Sequence, residues 1–127
     1  MTTPQDIALL DARKALAMFR KVKVPVLGVV ENMSTHICSQ CGFEEPIFGS
    51  GGGQGMATDF EIPLLGQLPL AIEIRASLDE GNPTVVSAAD SELADTYVRF
   101  ALRTAGALAQ RPRSLKMKLP EIVIQNT

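Results

Sequence analysis

Two short apolar runs limit what this chain can fold into. Val26-Leu27-Gly28-Val29-Val30 is continuous and largely β-branched, and Ile62-Pro63-Leu64-Leu65-Gly66-Gln67-Leu68 is a second run of similar character. A strand with one wet face alternates polar and apolar residues. A run without alternation belongs to a strand covered on both faces, as in a parallel sheet with helices above and below. The stretch between Val30 and Ile62 exceeds the roughly one dozen residues that a parallel crossover needs.

Helical patterns surround both runs. Thr3-Pro4-Gln5-Asp6 reads as a helix start, with Thr3 as cap, Pro4 at the first helical position and Asp6 completing a capping-box pattern. Ile7, Leu10, Ala15, Leu16 and Phe19 then give one apolar face as far as Arg20. Short helices are expected over 54–60 and 72–80, the second ended by Gly81 and kept from continuing by Asn82-Pro83. Ser87 or Asp90 is expected to cap the longest helix, whose stripe is Leu93, Ala94, Tyr97, Val98, Ala101, Leu102, Ala105 and Leu108.

The order of elements is that of an α/β protein with a parallel sheet. Two or three strands are too few for a sheet covered on both faces, and residues 1–3 read as the stub of a further strand. The chain therefore reads as the C-terminal part of a larger parallel-sheet domain, incomplete by itself. Residues 1–110 form that part, and 111–127 form a basic tail with a possible short strand at Ile122-Val123-Ile124.

The 127 residues carry a formal net charge of −2, so neither a nucleic acid nor an anionic membrane is expected as a partner. Arg111, Arg113, Lys116 and Lys118 read as a solvated patch. No segment approaches the ~18 consecutive apolar residues of a membrane span, and residues 1–11 have neither the basic nor the apolar part of a secretory signal. With two cysteines in close spacing, a reducing, cytoplasmic setting is expected.

Those cysteines, Cys38 and Cys41, are the only two in the chain. A two-residue spacer lets both sulfurs face one metal, yet two thiolates leave a tetrahedral zinc or a four-iron cluster half ligated. His36, the only histidine, sits one residue from Cys38's neighbour and makes an awkward third ligand. A two-fold dimer would supply four sulfurs across its axis. Idle thiols and a thioredoxin-like redox pair are the other readings. The redox reading is disfavoured because Gly42-Phe43-Glu44-Glu45-Pro46 offers no helix N-terminus, and its carboxylates should raise a thiol pKa.

The glycines at 49, 51, 52, 53 and 55 resemble a phosphate loop, but no lysine lies between Lys23 and Lys116, so they cannot be a Walker A motif. They read as a flexible loop supporting the cysteines or lying near a partner subunit. Glu31-Asn32 and Leu68-Pro69-Leu70 follow the expected strands, where open α/β sheets bind ligands. Asn32 offers a donor and an acceptor that could match an adenine edge, and Pro69 a flat apolar surface.

Taken together, "TTPQDIALLDARKA", "VPVLGVVENMS", "CSQCG", "IFGSGGGQGMA", "PLLGQLPL" and "IRASLDEGNPTV" resemble, in order and up to Ser87, the Mrp/ApbC family of P-loop iron–sulfur cluster carriers. That family is similar in fold to the nitrogenase iron protein and to the septum-site ATPase MinD. The resemblance implies a homodimer in which Cys38 and Cys41 of two subunits hold a bridging [4Fe–4S] cluster, passed to apo iron–sulfur proteins with scaffold proteins as further partners. It also implies that Asn32 and Pro69 lie at the adenine of ATP. Ala71 stands where many relatives have an acidic residue. The family's Walker A and magnesium-holding residues match nothing in these 127 residues, so ATP and magnesium are expected of the full-length parent only. This chain alone is expected not to hydrolyse ATP. The alternative is a zinc-stabilised dimerisation domain that transfers no cluster.

Overall fold

The computed structural model of the chain describes residues 1–111. The basic residues beyond Arg111 and the short strand expected at 122–124 lie outside the described residues.

The elements follow in the order α1 (Asp6–Lys21), β1 (Val29–Ile37), β2 (Glu44–Glu45), α2 (Gly52–Asp59), β3 (Leu64–Leu70), α3 (Ile72–Asp79), α4 (Thr84–Ser87) and α5 (Glu92–Ala109). The sheet order is β2-β1-β3. β1 and β3 run parallel, as their uninterrupted apolar runs require, while β2 pairs antiparallel with the far end of β1. On its side away from β3, β1 also bridges Thr2 in parallel through Glu31, with Thr2 N–H donating to Val30 O and Asn32 N–H to Thr2 O. The strand stub expected at residues 1–3 is thus a single parallel bridge.

Successive residues of β1 point to opposite faces and so build two small cores. Val29 joins Leu16 of α1 and Met56 and Ala57 of α2 on one face. Val30 joins Leu65 and Leu68 of β3 on the other, under Tyr97, Phe100 and Ala107 of α5. The result is three layers, with α1 and α2 on one face of the sheet and α5 on the other.

Several local expectations are corrected. α1 is capped at Gln5 without a side-chain bond, and the Thr3 hydroxyl donates instead to Gln5 Oε1. Its inward face is Leu9, Ala12 and Leu16, leaving Ile7 70% and Leu10 48% exposed. α1 is apolar on more than one stripe, and the stripe that can lie against α2 and the sheet wins. α5 is capped by Ser91, whose hydroxyl accepts from Ala94 N–H, rather than by Ser87 or Asp90. It turns Phe100 inward over Gly66 and leaves Leu102 67% exposed. Ser87 instead ends α4, a single turn after Pro83 that the sequence reading did not separate from its surroundings.

Leu16 is the one buried residue of α1. Leu16→Ala is expected to cost about 2–5 kcal/mol through lost transfer energy and the cavity left behind. Ile7→Ala should change stability by no more than about 0.5 kcal/mol. Urea unfolding of the two variants checks this, and equal midpoints would mean that α1 is not held through this face.

Candidate metal centre and the cavity beside it

The cysteines sit on a hairpin that grows out of β1. Cross-strand pairs His36↔Glu45 and Ile37↔Glu44 form its base. Above them Cys38 N–H donates to Phe43 O at 3.0 Å, and Gly42 N–H donates to Cys38 O at 2.9 Å. Gly42, with φ of +71°, takes the left-handed conformation that turns the chain back just after the second cysteine. Cys38 is half-buried, Cys41 is exposed, and both are free thiols.

This turn aims backbone amides at sulfur. The N–H groups of Gln40 and then Cys41, followed by the Cys41 thiol, hydrogen-bond the Cys38 sulfur and hold its pKa below the ordinary thiol value. Partial burial and the Glu45 carboxylate act in the opposite direction but more weakly. The Glu45 carboxylate thus raises the thiol as expected, but the net direction at Cys38 is downward. Backbone N–H groups hydrogen-bonded to the sulfur outweigh a half-exposed carboxylate, and the types of side chain alone do not reveal them.

Two adjacent soft donors, one already favoured as thiolate, fit a thiophilic metal or iron–sulfur group. Among the described residues no cluster of three or more His, Cys, Asp and Glu could hold a metal ion. His36 does not complete the pair: its Nδ1 lies 4.0 Å from Glu45 Oε1, across the strands. One chain therefore brings two sulfurs and no more.

Asn32 and Pro69 were placed after the strands, whereas both lie within them, because β1 extends to Ile37 and β3 to Leu70. The parallel ladder is nevertheless interrupted just beyond Asn32, where its register shifts before His36. Met33 has φ of +57°, its N–H donates to Asn32 Oδ1 at 3.0 Å, and the Ser34 hydroxyl donates to Leu68 O. The two residues meet on one cavity of about 370 Å³ that also touches Met33, Ala71, Arg75 and Tyr97. Burial pushes the Tyr97 phenol above its usual value. A second cavity of about 450 Å³ reaches from Pro69 and Gln67 to Gly42 and Glu44 of the hairpin. Ala71 is only 3% exposed, lines both cavities and precedes the first residue of α3.

The glycine run is not a flexible loop at its centre. It turns into α2 at Gly52, and a Cβ on Gly53 would sit 2.9 Å from the Glu31 side chain. Gly53 N–H donates to Glu31 Oε2, and Gln67 Nε2 donates to Glu31 Oε1 at 2.8 Å. Glu31 is 1% exposed and is the largest fully buried side chain among the described residues. Sequence reasoning named it only as Asn32's neighbour. The signal was there in a carboxylate that interrupts an apolar strand ahead of a run of glycines.

Comparison with known proteins gives this geometry its context. A family model described as ParA, NUBPL iron-transfer P-loop NTPase, matches residues 1–105. The chain belongs to that family. It is 58% identical over 108 residues to an iron–sulfur cluster carrier protein of Salmonella typhimurium, covering 85% of this chain and 29% of that protein. It is 43% identical over 112 residues to the mouse iron–sulfur cluster transfer protein NUBPL, covering 88% of this chain and 35% of that protein. The chain thus spans about a third of the length of these curated relatives. Among solved structures, the cell-division ATPase MinD of Pyrococcus furiosus superposes with a TM-score of 0.62 at 24% identity, over 84% of this chain and 40% of that one. A nucleotide-binding protein of Archaeoglobus fulgidus, solved with ADP, gives 0.56 at 28% identity over 72% of this chain and 36% of that one. The fold is that of part of a MinD-like P-loop NTPase, and the parallel β1–β3 pair agrees with it.

Cys38 is expected to react with iodoacetamide along a pH curve whose midpoint lies below that of an ordinary cysteine, because the thiolate is the nucleophile. Rates on the Cys41→Ser variant at a series of pH values read this directly, with the loss of the Cys41 thiol's own hydrogen bond shrinking the displacement. A midpoint at or above the ordinary value would mean that the Gln40 and Cys41 amides do not stabilise the thiolate.

Proposed function

We propose that this chain is the cluster-holding part of an iron–sulfur carrier, binding a cluster as cargo and passing it to apo-proteins. The observation that carries the reading is the hairpin, where two free sulfurs share one turn and backbone amides favour the Cys38 thiolate. The names of the relatives, a cluster carrier in Salmonella and a cluster transfer protein in mouse, agree with it. Because one chain offers two thiolates, Cys38 and Cys41 of two copies would together hold a bridging [4Fe–4S] cluster in a homodimer. Half-exposed ligands suit release, since each copy can let go of two sulfurs without unfolding.

In the same reading Asn32 and Pro69 stand at the adenine side of a nucleotide held by the full-length protein. Nucleotide binding by the full-length protein is supported by the similar solved structure that carries ADP, and the reading of these two residues by the cavity they share. ATP and magnesium would need groups that match nothing in this chain. The partners are apo iron–sulfur proteins and scaffold proteins in the cytoplasm. Among the described residues no helix is long and apolar enough to cross a membrane.

Anaerobic reconstitution with iron and sulfide tests the proposal. A brown product with about two irons per chain is expected for one four-iron cluster shared by a dimer. A colourless protein with about half a zinc per chain would replace the carrier reading with the zinc-stabilised dimer. Cys38→Ser is expected to abolish metal uptake. Full stoichiometry in that variant would show that the ligands lie elsewhere.

A further inference from the structure

We infer that Glu31 is the positioning residue of the cysteine hairpin: its buried carboxylate closes the base of the loop that carries Cys38 and Cys41. The inference rests on the reading that those cysteines hold metal, and it adds the group that fixes where they stand.

The hairpin has two legs. The first is β1 itself, running from Glu31 to Ile37 through the irregular step at Met33. The second returns from β2 through 46–51 into the first turn of α2. Short local bonds shape that return, with Ile47 N–H donating to Glu45 O and Gly49 N–H to Pro46 O. It is tied back where Gly53 N–H meets Glu31 Oε2. One side chain therefore joins the first residue of the loop to its last, and the cysteines lie between.

The tie is built for strength. The carboxylate meets an N–H of the first turn of α2, where the helix dipole favours negative charge. Its other oxygen accepts from Gln67 of β3, so the tie is fixed to the sheet as well. Gly53 has no side chain to hold the helix away, and the contact is sealed from water at 1% exposure. A charge-assisted bond of this kind is stronger than a neutral one, and losing it strands a buried donor. Without it the return leg would be tied to β1 only by the His36↔Glu45 and Ile37↔Glu44 pairs beside the cysteines, and the first turn of α2 would lose its bond to the other end of β1.

The test compares Glu31→Ala, Glu31→Gln and Gly53→Ala with Leu65→Ala, which loosens the opposite face of the sheet. All are studied in the 127-residue chain at temperatures giving equal global stability. Two readouts are taken: amide exchange of Gly42, Gly49 and Gly53 in metal-free protein, relative to Leu68 of β3, and Co²⁺ affinity from thiolate charge-transfer absorbance. In Glu31→Ala these three amides should exchange about tenfold faster relative to β3, and Co²⁺ binding should weaken about tenfold. Glu31→Gln should recover most of both, because its amide oxygen can accept from Gly53 and its nitrogen can donate to a rotated Gln67. Should Glu31→Ala fail to fold, Gly53→Ala crowds the same contact without removing the carboxylate and should move both readouts in the same direction. Unchanged exchange at Gly42 and Gly49, or Co²⁺ affinity no weaker than in Leu65→Ala, would overturn the inference. If the unmutated chain binds no Co²⁺, the metal reading of the cysteines fails, and the exchange pattern still decides whether Glu31 positions the hairpin.

Discussion

The structure depends on one buried carboxylate. Glu31 stands third in β1, and three neighbours converge on it: Thr2 across one strand edge, Gln67 across the other, and the first turn of α2 above. Burying a charged group is unfavourable unless its hydrogen bonds are remade inside, and both of its oxygens are satisfied. In a chain with few fully buried residues on either face of the sheet, such a network specifies geometry that apolar contacts alone would leave loose. It decides where α2 begins, how closely α2 approaches the sheet, and why glycine must stand at the point of contact.

The two candidate sites grow from the same strand. β1 carries Asn32 toward the cavity shared with Pro69 and, five residues on, becomes the hairpin that presents Cys38. Between them lies the Met33 irregularity, where a positive φ breaks the ladder and the Ser34 hydroxyl takes up a carbonyl of β3. Beyond the break His36 pairs with Leu70 of β3 on one side and with Glu45 of β2 on the other, and the strand passes into an exposed hairpin within a few residues. Pro69, which cannot donate to a ladder, borders both cavities at the corresponding end of β3.

Much of this was legible in the sequence, and the rest for identifiable reasons was not. The two uninterrupted apolar runs announced a parallel pair, and the Cys38–Cys41 spacing announced a soft-ligand turn. Strand lengths were misjudged because Met33-Ser34-Thr35-His36 carries no apolar pattern; the hairpin, not burial, keeps those residues extended. Helix faces were anticipated at Leu16 of α1 and Tyr97 of α5 but not throughout, because both helices are apolar on several stripes and only the shape of the sheet selects Leu9 and Phe100 over Ile7 and Leu102. The direction of the Cys38 shift depends on backbone amides, which every sequence possesses and only a conformation can aim.

The two edges of the sheet would treat a passing strand very differently. Along β1 the outer edge is held by Thr2 at one end and by β2 at the other, with the Met33 kink between them, so little regular template remains. Along β3 the outer edge is unpaired among the described residues from Leu64 to Leu70, and Pro69 interrupts its donors near one end only. Among the described residues that edge is the longer regular template, so a passing strand would add along the five residues from Leu64 to Leu68 rather than beside β1, and a charged side chain placed there would act as a colloidal safeguard.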